Sequence, residues 1–408
     1  MVISGLGCSL LDNLYTNVDF SSLAFRSFLS KKNGDGGLSP GRLVFKEDLE
    51  KYTGKEYPKI LKEITNNKKP DKLNLGGPAI VALINASQLL NKLNVDVFFY
   101  GKRGNDPAGK KIEEIINKTP VNTDYYSETN GITPFTDVFS DSNYNNGQGE
   151  RTFVNCIGTA NDFSINDIDS SFFNSEILFF GATALLPDIH NSLDKLLKRG
   201  KANGAINIVT TVYDFISEKK NPDKPWPIGN SKKSFPLIDL LICDNEEALE
   251  ISGKPDQIKA INFFKENGVK SCIVTHGTKN IYFYSNGKLF SKNKTALLPV
   301  SEAIGKELKL KNYNGDTTGC GDNFAGGVVA SLANQLNKKN IPDIIEAISW
   351  GVASGGFACF YPGGTYLENK AGEKYEKICF YYKEYKKQIN KETPQQSIEV
   401  LRHHNKMD

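Results

Sequence analysis

The run Asn314-Gly315-Asp316-Thr317-Thr318-Gly319-Cys320-Gly321-Asp322-Asn323-Phe324-Ala325-Gly326-Gly327 concentrates residue types that handle phosphate. Beyond Asp322 the residues Phe324, Val328, Ser331 and Leu332 fall on one helical face, so the glycines should open a helix. Gly326 and Gly327 should let that helix pack closely on a sheet. Backbone N–H groups around Gly319, Cys320 and Gly321 would then stand at a helix start, where unpaired donors and the positive dipole end favour an anion. Asp322 falls in the first turn beside them. Phosphoryl transfer needs that pairing: donors for charge on the transferred group, and a carboxylate to take the proton of an attacking hydroxyl. An aspartate in a first turn also serves as a helix cap, and spacing leaves both readings open. The chain has no G-x-x-x-x-G-K-[ST], H-R-D or D-F-G run, which excludes the P-loop and protein-kinase arrangements.

Other chemistry is sparse. Four histidines give no zinc set and no Ser-His-Asp constellation. Gly5-Leu6-Gly7-Cys8-Ser9-Leu10 lacks the third glycine of a dinucleotide fingerprint. The seven cysteines are odd in number and never spaced C-x-x-C, which suits a reduced, cytoplasmic setting. A net charge of +3 with dispersed lysine pairs such as Lys219-Lys220 argues against a nucleic-acid partner. No basic leader opens the chain and no apolar run approaches the ~18 residues of a span, so no membrane partner is expected either.

The elements that must position these residues read as α/β. Val2 to Cys8, Val95 to Gly101, Ile177 to Gly181, Ala205 to Val209, Leu237 to Cys243 and Cys272 to Thr275 are short apolar strands. They alternate with helical patterns at Gly76 to Leu93, Asn191 to Arg199, Glu246 to Ile251 and Ile258 to Asn267, which predicts a mostly parallel sheet covered on both faces. The polar, alternating stretch from Thr133 to Asn155 predicts antiparallel strands outside that sheet. Phe20 to Lys72, broken by Asn33-Gly34-Asp35-Gly36-Gly37 and Ser39-Pro40-Gly41, reads as hairpin or flap material. From about Tyr375 a helix-forming stretch passes into a polar tail without fixed structure. At 408 residues the chain is long enough for one large domain with insertions or for two domains.

Asp316 to Phe324 closely resembles D-T-T-G-A-G-D-x-F, the C-terminal signature of the ribokinase-like (PfkB-type) carbohydrate kinases, with Cys320 where alanine is usual. The resemblance implies an ATP-dependent kinase acting on a hydroxyl of a sugar or related small molecule. It makes Asp322 the catalytic base and Gly319, Cys320 and Gly321 the anion hole. A cysteine at a helix start could also be a reactive thiolate, and Cys320 is read as a small filler. Leu75-Gly76-Gly77-Pro78-Ala79 is similar to the family's G-G motif, and Tyr100 to Gly109 to its Y-G-x-x-G-x-D-x-x-G. These imply substrate contacts at Gly76 and Gly77, joined by Asp12 after the first strand, while Val81 replaces the family's common asparagine. Asp244-Asn245-Glu246-Glu247 resembles N-x-x-E and implies Mg²⁺ held through water by Asp244 and Glu247. Val274-Thr275-His276-Gly277 resembles the V-T-x-G strand end, so Thr275 and Gly277, with Asp316 and Thr318 of the signature, should face the nucleotide. Gly351 stands where relatives often place an adenine-contacting asparagine.

The implied fold is a three-layer α/β/α ribokinase-like domain over residues 1–374 with a mostly parallel central sheet. A small β-sheet lid comes from about 12–48 and 131–157, and a C-terminal helix and tail from 375–408. The expected partner is a small-molecule sugar or nucleoside. The resemblance leaves room for a monovalent cation beside the signature and for a homodimer through the lid. A nucleoside kinase, and a non-catalytic sugar or nucleotide sensor that keeps the fold, are the alternatives.

Overall fold

The computed structural model describes residues 1–32, 34–147, 149–310 and 317–404, with 392–404 described by backbone alone. Short runs of apolar and β-branched residues become strands: β1 Val2–Leu6, β2 Leu10–Tyr15, β3 Leu43–Phe45, β4 Lys72–Gly76, β5 Asp96–Gly104, β6 Tyr126–Thr129 and β7 Phe135–Asp141. β8 Glu150–Cys156, β9 Ile177–Gly181, β10 Ile206–Thr210, β11 Leu240–Asp244, β12 Ser271–Thr275, β13 Ile281–Ser285 and β14 Asn293–Leu298 follow.

Nine of them form one sheet in the order β14-β13-β12-β11-β10-β9-β1-β5-β6, parallel from β12 to β6 and antiparallel at β13 and β14. Alternate residues of β9 serve opposite faces. Ile177 and Phe179 join a core with the helices Pro78–Leu90, Cys320–Asn337 and Ile344–Ala358; Leu178 and Phe180 join another with Leu193–Ala202 and Gln257–Glu266. A strand buried on both sides has no room for polar alternation, which is why these runs read as continuously apolar. Each fully buried phenylalanine among them stabilises by about 1.5–3 kcal/mol. This is the three-layer architecture expected of the sequence.

The other five strands form a second sheet, β3-β8-β7-β2-β4. β7 and β8 pair antiparallel over their full length, as the alternating stretch predicts. The reading of Phe20 to Lys72 as hairpin material is corrected. The segment contributes only β3 and the start of β4, and its regular structure is mainly helical: Leu23–Ser27, Lys46–Thr53 and Tyr57–Thr65. Phe20, Phe25, Phe28, Leu49, Tyr57, Ile60 and Ile64 bury together as a third cluster. Tyr57, Ile60 and Ile64 have helical spacing, with Pro58 in the first turn and Asn66 closing the helix at φ 52°.

Two further expectations change. A Cβ at Gly326 would collide with the Ala82 carbonyl, and one at Gly327 would lie 2.5 Å from the Trp350 carbonyl, so these glycines admit neighbouring helices, not the sheet. The C-terminal helix expected from about Tyr375 runs Glu373–His404 and continues into the polar tail read as unstructured. No helix among the described residues is long and apolar enough to cross a membrane.

Candidate active site

The C-terminal ends of the parallel strands converge where the strand order turns back at β1, between β9 and β5, the usual place for a site in a doubly wound sheet. Glycines let the helix Pro78–Leu90 start against those ends. A Cβ at Gly7 would strike the Ala79 side chain, and one at Gly181 would come 2.6 Å from the same atom. Gly77 adopts φ +108°, and a Cβ there would lie 2.6 Å from the Cys8 carbonyl. At Gly76 the colliding group would be the Asp12 carboxylate, so the Gly76-Gly77 turn and Asp12 are adjacent. Asp12 is buried on β2 opposite Asn74 of β4.

The signature loop faces this corner. Gly319 caps the helix Cys320–Asn337 at φ +73°, and a Cβ would stand 2.5 Å from the Gly364 Cα. At Gly321 no atom of the described residues lies within 4 Å of a Cβ, so the second turn residue opens onto space clear of them. Asn323 fixes the loop from behind: its Nδ2 donates to the carbonyls of Gly319 and Gly364, at 2.9 and 2.8 Å. Its Oδ1 accepts from Lys374 Nζ at 2.9 Å. Burial pushes the Lys374 ammonium down to about 7 against the pull of Glu368. Val81, in place of a polar residue, is buried and would touch a Cβ at Gly364. Asp316, with Asn314 and Gly315, lies outside the described residues.

Asp322 is half-buried in the first helical turn, and burial pushes its carboxyl up to about 6. The buried Cys8 thiol is pushed up to about 12, by burial first and then by the charges of Asp322 and, more weakly, Asp12. One sulfur therefore lies within electrostatic reach of both carboxylates. Glu247 is pushed up to about 7 by burial and then Asp244, with Asp322 adding a smaller push. Asp322 thus lies within electrostatic reach of Cys8, which Asp12 also reaches, and of Glu247.

Asp244 and Glu247 also close a capping box at the helix Asn245–Ser252: Asp244 accepts from the Glu247 N–H at 2.8 Å, and Glu247 from the Asp244 N–H at 3.0 Å. Thr211 donates to Glu247 Oε2 at 2.6 Å. The two carboxylates thus do structural work, and they supply the hard oxygens that a hydrated divalent cation prefers. Among the described residues there is no group of three or more His, Cys, Asp or Glu that could hold a metal ion. Thr275 pairs with Asp244 across β11 and β12, and Gly277 turns the chain at φ 55°. A recess of about 520 Å³ beside them is lined by Gln257, His276, Lys279, Asn280 and Tyr282. Gly351 is buried, with Phe324 Cε2 2.9 Å from where its Cβ would be, so that position belongs to helix packing.

Sequence reasoning missed two features. Cross-strand register sets Asn74, Asp12, Thr136 and Asn155 in one row over β4, β2, β7 and β8, all buried, with Asn155 Nδ2 donating to Thr136 Oγ1 at 2.9 Å. Arg151, on the Asn155 side of β8, donates from Nη1 to Thr318 Oγ1 at 3.2 Å and so links the second sheet to the signature. Neither follows from local spacing, because each depends on which strands pair. The Tyr100–Gly109 motif proves structural: Asp106 caps the helix Pro107–Ile116 and accepts from the Thr133 N–H and hydroxyl.

A glycine-built helix start with partly buried carboxylates at the strand ends of a three-layer sheet is the arrangement of a ribokinase-like enzyme. The model of the pfkB family carbohydrate kinases matches residues 55–371, and the chain belongs to that family, phosphotransferases that act on a sugar hydroxyl. A fructokinase of Vibrio alginolyticus is 25% identical over 302 residues, covering 71% of this chain and 86% of that protein. Among solved structures, adenosine kinase from Schistosoma mansoni in complex with adenosine and AMP aligns with a TM-score of 0.65 at 17% identity, over 90% of this chain and 97% of that one. Ribokinase from Thermotoga maritima aligns at 0.60 and 18%, over 94% and 99%.

Proposed function

We propose that this protein transfers the γ-phosphate of ATP to a hydroxyl of a sugar, with Asp322 as general base and the N–H groups of Gly319, Cys320 and Gly321 as the anion hole. The observation that carries the reading is the pairing in one helical turn of a half-buried carboxylate with an open, glycine-built helix start. Desolvation holds Asp322 near neutral basicity, where it accepts a hydroxyl proton and still releases it. The adjacent amides meet charge developing on the transferred group without reorganising. Mg²⁺, when bound through water to Asp244 and Glu247, would neutralise the phosphates. Thr275, Gly277, Thr318 and, from its resemblance, Asp316 bind the nucleotide. Asp12, Gly76 and Gly77 bind the acceptor.

Residues 1–374 act as one kinase unit, with 12–48 and 131–157 supplying the lid that excludes water. The row Asn74, Asp12, Thr136 and Asn155 suits an acceptor rich in hydroxyls, and the relative named fructokinase makes fructose the first to try. The test is ATP consumption over sugars and nucleosides by wild type and Asp322→Asn. We expect turnover with at least one sugar and a loss of 10³-fold or so in the variant, within the range for a general base. Turnover confined to nucleosides moves the reading to a nucleoside kinase. Ligand binding with no turnover above the variant sinks catalysis and leaves a sensor.

A further inference from the structure

Two thiols meet at the start of the signature helix. Cys320 is its first residue and Cys359 caps the helix Ile344–Ala358; their sulfurs lie 3.3 Å apart. Glycine brings the two backbones together, because a Cβ at Gly355, one turn before Cys359, would come within 2.8 Å of the Cys320 carbonyl oxygen. Both cysteines are half-buried, so a small oxidant can reach sulfur while the packed helices hold the pair in place. Cys243 and Cys272 also interact, on neighbouring strands, but both are fully buried and so are shielded from oxidants. A small filler at position 320 explains the size of that side chain and leaves the second thiol beside it unexplained.

We propose that Cys320 and Cys359 form a dithiol site that hydroperoxides oxidise to a reversible disulfide, and that this bond switches phosphoryl transfer off. One thiolate attacks the terminal peroxide oxygen and becomes a sulfenic acid as the O–O bond breaks, and the expelled hydroxide or alkoxide takes a proton and leaves as water or alcohol. The other thiolate attacks that sulfur, the S–S bond forms and water leaves. Two thiols lose two electrons and two protons, and the peroxide takes up both. A dithiol reductant reverses the exchange. Bonded sulfurs sit about 2.05 Å apart, so closure draws the pair together by roughly 1.3 Å. The pull acts on Cys320 itself, between Gly319 and Gly321, and a displacement of about 1 Å in positioning groups costs on the order of 10²-fold in rate. The regulatory half of this inference rests on the proposed function of the same loop.

The experiment treats the full-length reduced protein with hydrogen peroxide, maps its peptides by mass spectrometry and assays kinase activity before and after dithiothreitol. We expect linked Cys320–Cys359 peptides and a loss of tenfold or more that dithiothreitol restores. Cys359→Ala and Cys359→Ser should keep the reduced activity and lose the peroxide response, and two replacements guard against one that misfolds. Absence of the linked peptides, linked protein with full activity, or equal peroxide loss in both Cys359 variants overturns the proposal. The map needs no turnover: a reduced wild type that phosphorylates nothing defeats the kinase reading, and the map still judges the dithiol.

Discussion

Asp322 carries two consequences from one cause. Burial makes its charged form expensive, which raises the carboxyl to about 6. In its proposed role as base Asp322 works only when deprotonated, so wild-type turnover should fall about tenfold per pH unit below about 6. A rate profile from pH 5 to 8 checks this, and a flat profile across pH 6 would remove Asp322 from the proton-transfer step. The same shift has a stability sign. A carboxyl whose folded value lies above its unfolded one favours the protonated fold, so its charge weakens the protein at neutral pH and the penalty disappears as pH falls through 6 to 4. Asp322→Asn should therefore melt higher than wild type at pH 7, by on the order of 1–2 kcal/mol, while losing activity. A lower melting temperature would mean that the carboxylate holds the loop together. The sequence singled out Asp322 and Gly76-Gly77 through contiguous motifs and Asp12 through its place after the first strand; that Asp12 lies against the Gly76 turn needed coordinates. Asp244 and Glu247 were half legible: D-x-x-E spacing gave the residues, and the capping box that also uses them needed coordinates.

The helix Cys320–Asn337 begins with two glycines that have different reasons to be there. Gly319 adopts φ +73° with Gly364 Cα 2.5 Å from its missing Cβ, so Gly319→Ala meets both backbone strain and a collision with main chain. Strain of that kind costs about 1–3 kcal/mol before the collision is counted. Gly321 is helical with open space around it, and alanine there should leave stability unchanged or raise it by up to ~1 kcal/mol. Its methyl would nevertheless project into the space assigned to phosphate. Thermal melts with parallel rate measurements should give an unstable, inactive Gly319→Ala and a stable Gly321→Ala of reduced activity. A fully active Gly321→Ala would move the phosphate elsewhere. Element by element, the buried strands and the helices between them were readable from apolar runs. Leu23–Ser27, Lys46–Thr53 and Tyr57–Thr65 were not, because glycine and asparagine punctuation masked a helical stripe whose partners, Phe139 and Val154, lie some 75–130 residues downstream.

Taken whole, the molecule is a stiff sheet beside a more open one. The nine-stranded sheet is covered on both faces, whereas the β3-β8-β7-β2-β4 sheet packs one side on the Phe25, Leu49, Ile60 and Phe139 cluster and lays the Asn74, Asp12, Thr136, Asn155 row on another. That row holds polar groups out of solvent in an existing network, with Asn74 donating to the Pro362 carbonyl and Asn155 to Thr136 Oγ1, which a hydroxyl-rich acceptor would extend. Arg151 ties the same sheet to Thr318, so the proposed acceptor and nucleotide loops can settle together. Amide hydrogen exchange tests this at the scale of the fold. Without ligand, β2, β7 and β8 should exchange faster than β1, β9 and β10, since two-sided burial sets the higher opening free energy. Adding the acceptor that supports turnover, together with a non-hydrolysable ATP analogue, should slow β2, β7 and β8 by tenfold or more and leave β9 and β10 unchanged. Asp12→Ala should abolish the acceptor's share of that protection and preserve the nucleotide's. Protection confined to the signature helix, with the small sheet unmoved, would mean that the sheet is scaffold and that the acceptor is read from the Gly76-Gly77 turn alone.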